Sequence, residues 1–213
     1  MTDQAALQCR SRELAASRVG SALVGVALVI IWIARISAGR DLYLSALGAA
    51  GEPTSHWFEA ALLLIVAGGG LIAYAARDIR SRLPIVGVGA PAVSLGVACF
   101  FFFLASQVTC TPGCPLPIGS AFDWQDLLHA IAAVLAFALA CLSMLQVSFA
   151  VGHRPLALLS RWSGFGVILI AGIGGLFSLA QFQTGIGGQL ELLATTIALV
   201  WLFTLGLVLR RTP

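Results

Sequence analysis

The chain has 213 residues, of which 59% are hydrophobic and only 10% charged, with a formal net charge of +3. A soluble domain carries about 25% charged residues, so this composition cannot cover a water-facing surface, and most of the chain must be solvated by lipid. The small net charge gives nucleic-acid binding no support.

In lipid every backbone polar group must be paired internally, which leaves helices or a closed barrel. The apolar runs are continuous rather than alternating, which selects helices. A spanning helix needs roughly 20 apolar residues. In chain order, an N-terminal tail (1–18) with Arg10, Arg12 and Arg18 precedes a first span at Val19–Gly39. That segment starts too far in and runs too long for a cleaved signal peptide, although Ile36-Ser37-Ala38-Gly39 has the small residues of a cleavage site. Arg35 and Arg40 lie near its end, where Arg35 can snorkel outward or pair with Asp41. After the loop Asp41–Ser55 come the second span, His56–Ala76, an arginine loop (Arg77, Arg80, Arg82) and the third span, Pro84–Ser106. The loop Gln107–Gln125 leads to the fourth span, Asp126–Ala150. His153, Arg154 and Arg161 follow, then the fifth span, Trp162–Gln183. A tight turn, Thr184–Gly188, precedes the sixth span, Gln189–Leu209, and a tail with Arg210 and Arg211.

The expected fold is therefore a single all-α domain, a polytopic membrane protein of six transmembrane helices in three hairpins. Arginine collects in the N-terminal tail, the second and fourth loops and the C-terminal tail, which are on one side if there are six spans. By the positive-inside rule that side is the cytoplasm, so both termini are cytoplasmic and the membrane is a bacterial inner membrane. Trp57, Trp124 and Trp162 mark interfaces, and His153 reads as a solvated or headgroup-facing residue. Glycines gather in the second span (Gly68, Gly69, Gly70) and the fifth (Gly164, Gly166, Gly172, Gly174, Gly175), where small residues let helices approach. Close packing within the chain is the first reading; a homodimer face or a hinge is the alternative. The two outer loops exceed the usual 2–8 residues between bundle helices, and their Gly, Pro, Trp and Cys content predicts ordered caps.

Polar chemistry collects at the outer ends. His56-Trp57-Phe58-Glu59 opens the second span and Asp126-Leu127-Leu128-His129 the fourth, each placing an imidazole and a carboxylate on one helical face. Asp123 lies just before, and Glu191 opens the sixth. Carboxylate and histidine three apart on two helices is the pattern by which helical bundles hold metal ions, so His56, Glu59, Asp126 and His129 are candidate ligands for zinc, iron or manganese. A proton relay or acid–base pair is the alternative. The plainer reading is that carboxylates favour the first turn of any helix, where N–H groups are unpaired. Asp126 and His129, with Ser45 from the first outer loop, are the candidate catalytic residues. Ser45 has no Gly-x-Ser-x-Gly elbow around it and also reads as a cap or turn. Cys110-Thr111-Pro112-Gly113-Cys114-Pro115 predicts a small disulfide loop in an oxidising compartment, with a metal–thiolate pair completed by His129 as the alternative. Cys9, Cys99 and Cys141 read as small apolar fillers.

Ser45-Ala46-Leu47-Gly48 with Gly51-Glu52-Pro53, the Cys/Pro/Gly loop from Cys110 to Pro115, and His129 within Leu127-Leu128-His129-Ala130 together resemble a bacterial and archaeal family of six-helix membrane proteins of unknown function. The resemblance implies a fold and no reaction. A looser similarity is to transmembrane metal hydrolases of the ceramidase type, which use serine, aspartate and several histidines around zinc. Here Ser45, Asp126 and His129 would correspond, but the chain has six expected spans rather than seven and no histidine in the last.

Three functions follow as expectations. The first is a binding protein whose outer polar pocket takes a lipid, small molecule or partner. The second is a membrane-embedded, metal-dependent hydrolase of a lipid-like substrate. The third is a small proton-coupled transporter, disfavoured because the inner halves of the spans carry almost no ionisable residues.

Overall fold

The structure is a computed structural model that describes residues 2–39, 42–82, 91–117, 122–150, 154–180 and 184–209. The expectations for Arg40, Asp41, His153, Arg210 and Arg211 lie outside them. The helices are α1 (Thr2–Ala38), α2 (Ser55–Ala75), α3 (Pro91–Gln107), α4 (Trp124–Val147), α5 (Arg154–Leu179) and α6 (Thr184–Leu209), with a 3-10 turn at Ser45–Gly48 in the first outer loop. Five of them are long and apolar enough to cross a membrane, and α3, at 17 residues, is shorter. The chain is an all-α, multi-pass integral membrane protein.

Each helix packs on the next, and α6 returns to α1 and touches α2, which closes a ring. Large apolar side chains cover the outside, among them Val29, Phe100, Val134, Leu169, Leu176 and Val200. A surface of that kind is stable only against lipid tails.

Helix starts differ from expectation in a way that matters for the site. α1 has 37 residues, or about 55 Å at 1.5 Å per residue, against a hydrocarbon core of about 30 Å. Its N-terminal turns therefore extend past the bilayer on the arginine side. There Glu13 pairs with Arg77, whose guanidinium lies 4.6 Å from the Tyr74 ring centroid. Cys9, expected to be a filler, is instead exposed, with Sγ 3.1 Å from Arg77 Nη2. α5 starts at Arg154, because Pro155 suits a first turn that needs no N–H partner. α6 starts at Thr184, so the expected turn Thr184–Gly188 is helical.

The glycines divide. A Cβ on Gly68 would stand 2.7 Å from the Gly20 carbonyl oxygen, and one on Gly69 would stand 2.6 Å from Cys99 Sγ, so α2 needs both to approach α1 and α3. Gly70, Gly172 and Gly175 have nothing within 4 Å and carry no such demand. Near the arginine end, Ser17 donates to the Gly206 carbonyl and Ser21 to the Phe203 carbonyl at 3.3 Å, tying α1 to α6 with small polar groups. At mid-bundle the Trp201 indole donates to Ser160 Oγ at 2.8 Å, joining α6 to α5.

Candidate functional site

The outer end is built by two loops that each dock on a buried carboxylate. The Cys110–Cys114 disulfide is present, with Cα atoms 5.1 Å apart. Pro112 and Gly113 form the turn between the cysteines; Gly113 has φ +85°, and the Cys114 amide donates to the Thr111 carbonyl at 2.9 Å. Within this loop the Thr111 amide and hydroxyl both donate to Asp126, at 2.7 and 2.6 Å. Asp126 is 2% exposed and lies in the first turn of α4, which Asp123 caps through the Gln125 amide at 2.7 Å. Its two oxygens hold the disulfide loop against the helix.

The first outer loop docks on α6 in the same manner. Glu191 Oε2 accepts the Leu44 amide at 2.6 Å. A Cβ on Gly188 would lie 2.3 Å from the Leu42 carbonyl oxygen and one on Gly187 2.6 Å from the Tyr43 hydroxyl, so the glycine pair makes room for the loop. The two loops also join each other, because the Ala50 amide donates to the Cys110 carbonyl at 2.9 Å.

The expectation of a carboxylate in the first turn of three helices holds for Asp126 alone. α2 and α6 have none in their first turns, because both helices begin earlier than their apolar cores suggest. Glu191 lies well inside α6, where the helix dipole offers it little. Its position is explained by the loop amide it holds.

His129 is 7% exposed. Its Nδ1 lies 2.6 Å from the Val108 carbonyl oxygen and 3.1 Å from that of Ala105, at the end of α3. A carbonyl only accepts, so Nδ1 carries a proton, and the neutral tautomer compatible with these bonds has its lone pair on Nε2. The ring sits between two cavities. The smaller, about 10 Å³, is lined by Glu59, Ser55, Ser106, Thr109 and His129. The larger, about 80 Å³, runs down the bundle axis. Ser45, His129, Glu191 and Thr195 supply its polar groups; Phe137, Ala140, Leu199 and others from α1, α2, α3, α4 and α6 supply apolar walls. α5 contributes no lining, and α4 and α6 face each other there without packing closely. Thr195 Oγ1 is buried and has no hydrogen-bond partner.

The expected site residues are therefore distributed. Ser45 and His129 meet at the main cavity, and Glu59 joins His129 at the small one. His56 is exposed on α2 and lines neither, and Asp126 is turned to Thr111. His56, Glu59, Asp126 and His129 do not gather their ligand atoms at one point. Among the described residues the group that does is Cys110, Cys114 and His129, within 4.8 Å of one another. Glu191 and Thr195 were not selected as site residues from the sequence. The available signal was Thr195-Thr196 interrupting the apolar run of α6.

The sequence profile of a family described as "Protein of unknown function (DUF998)" matches residues 18–208. The chain belongs to this family. The match takes in α1 from residue 18 onward, the other five helices almost entirely and both outer loops, so the site described above falls within the family region. No curated protein and no solved structure matches, and no similarity to ceramidase-type hydrolases emerges.

Proposed function

We infer that this protein binds a single-chain amphiphile with a neutral, hydroxyl-bearing head, which enters from the lipid. The observation that carries the reading is the composition of the axial cavity: an apolar shaft with Ser45, His129, Glu191 and Thr195 as its polar groups and no arginine. The His129 Nε2 lone pair and the Glu191 carboxylate accept hydrogen bonds, and the unpartnered Thr195 hydroxyl can donate or accept. That set suits a hydroxyl head, and with no arginine in its lining the cavity offers no counter-charge to a carboxylate or phosphate.

At about 80 Å³ the cavity is smaller than the ~150 Å³ space that takes benzene. It takes only a short segment of the amphiphile's chain, and the remainder extends from it into the lipid. The arginine asymmetry supports the reading that these polar groups face the outer leaflet of a bacterial inner membrane. A metal-dependent hydrolase is the second reading, favoured only by Ser45 and His129 lining the same cavity; Asp126 takes no part in it.

The test is equilibrium binding of a fluorescent monoacylglycerol to the protein in nanodiscs. Saturable binding that the matching fatty acid fails to displace, and that Ala140→Phe abolishes, supports the reading. Equal competition by the fatty acid, or unchanged binding in Ala140→Phe, contradicts it. Hydrolysis of the bound ester during the assay would move the second reading to first place.

A further inference from the structure

The disulfide loop brings two cysteines that the amphiphile reading leaves unused beside His129, an imidazole that a metal and the amphiphile head would share. Both sulfurs of Cys110 and Cys114 and a ring nitrogen of His129 lie within 4.8 Å of one another, and Cys110 and His129 are buried. In the oxidised state the sulfurs are bonded to each other.

We propose that the reduced Cys110–Cys114 pair and His129 form a three-coordinate copper(I) site, which disulfide formation closes. Two thiolates and an imidazole are a soft ligand set, and thiolates select copper(I) or zinc. Zinc takes four protein ligands in structural sites and, where the protein supplies only three, a water in the fourth position. No fourth His, Cys, Asp or Glu joins this group among the described residues, and Asp126, the neighbouring carboxylate, is held by Thr111. With Cys110 1% and His129 7% exposed, the cluster is shielded from the water that zinc would need as a fourth ligand, which favours copper(I).

The cluster does not depend on the S–S bond for its shape. Thr111, between the cysteines, is bound twice to Asp126; the Cys110 carbonyl accepts from Ala50, and the Cys114 amide donates to Thr111. Opening the disulfide therefore leaves both sulfurs beside the imidazole. His129 already has the support typical of a metal ligand, since Nδ1 donates to backbone carbonyls and Nε2 is the nitrogen left to ligate in the neutral tautomer.

The chemistry balances through thiol–disulfide exchange with an external dithiol. The dithiol gives two electrons and two protons to the S–S bond, yields two thiols here, and becomes a disulfide itself. Copper(I) then displaces the two thiol protons to solvent without changing its oxidation state. The reverse exchange, with a partner disulfide, re-forms Cys110–Cys114, leaves the partner as a dithiol and frees the metal.

The experiment uses the full chain in nanodiscs, with Cys9→Ser, Cys99→Ala and Cys141→Ala as background. The protein is reduced with a phosphine, desalted without oxygen and titrated with copper(I) against a chromogenic chelator. One equivalent per chain is expected, with two sulfur and one nitrogen scatterers around copper by X-ray absorption. The oxidised protein and Cys110→Ser/Cys114→Ser should bind none, and His129→Ala should bind about tenfold or more weakly with the nitrogen lost. If His129→Ala does not fold, the S-alkylated protein serves as the second negative control. Copper uptake by the reduced protein no greater than that of the double serine variant overturns the proposal, as does zinc displacing copper(I) at equal concentration. Loss of amphiphile binding with copper uptake intact would count against the cavity reading alone.

Discussion

Asp126 looks like a catalytic carboxylate in the sequence and is a loop clamp in the structure, and the two roles predict opposite energetics. Thr111 donates its amide and hydroxyl to Asp126 at 2.7 and 2.6 Å, at a site where Asp126 is 2% exposed. A hydrogen bond to a charged group contributes about 1.5–3 kcal/mol, and a buried donor left unpaired costs about 1–3 kcal/mol. Asp126→Ala removes both acceptors and strands the Thr111 amide, for an expected loss of about 3 kcal/mol or more. Thr111→Val removes only the hydroxyl, for about 1.5 kcal/mol. In the double variant the hydroxyl has no acceptor left to lose, so its cost matches that of Asp126→Ala and the coupling is about 1.5 kcal/mol. The assay is equilibrium unfolding in mixed micelles followed by tryptophan fluorescence, with the disulfide verified intact in every variant. Additive costs, with coupling below about 0.3 kcal/mol, or an Asp126→Ala protein as stable as wild type, would refute the clamp. Either result would return Asp126 to the candidate catalytic group.

Gly68→Val should prevent a monodisperse, folded preparation, because its Cβ would meet the Gly20 carbonyl oxygen at 2.7 Å, whereas Gly70→Ala, with nothing within 4 Å, should elute and melt as wild type. Size-exclusion profiles and thermal melts compare the two. Thr195→Val removes a buried hydroxyl that has no partner; it should leave stability unchanged or raise it by up to about 1 kcal/mol while weakening monoacylglycerol binding. A variant that loses stability and keeps its affinity would contradict that. Trp201→Phe breaks the bond to Ser160 Oγ and should cost about 1–3 kcal/mol by unfolding, with Ser160→Ala adding little in that background.

The architecture was legible in the sequence because lipid imposes simple rules. Continuous apolar runs can only be helices there, and the Cys-Thr-Pro-Gly-Cys spacing permits a tight turn closed by a disulfide. Helix starts were less legible. Hydropathy marks where a helix becomes apolar, whereas the helix itself begins at a cap or proline upstream, as at Thr184 and Arg154. That displacement put Glu191 in a first turn on paper and well inside α6 in the structure. Its partner is the Leu44 amide, 147 residues away in the chain, and no local pattern announces a contact of that kind. Likewise His56 and Glu59 share a face by spacing, but only the packing of α2 on its neighbours shows that Glu59 reaches a cavity and His56 does not. The pairing of Asp126 with Thr111 is carried by a loop, and loop geometry has no period to read.

The axial cavity is the centre of this account, and photo-crosslinking tests it most directly. A monoacylglycerol bearing a diazirine near the end of its chain is irradiated with the protein in nanodiscs, and the adducts are mapped by mass spectrometry. The account predicts adducts on the cavity-lining residues Phe137, Ala140 and Leu199, lost in Ala140→Phe and reduced in Thr195→Val. Adducts confined to lipid-facing residues such as Phe165, Leu169 and Leu176, unchanged in both variants, would contradict it.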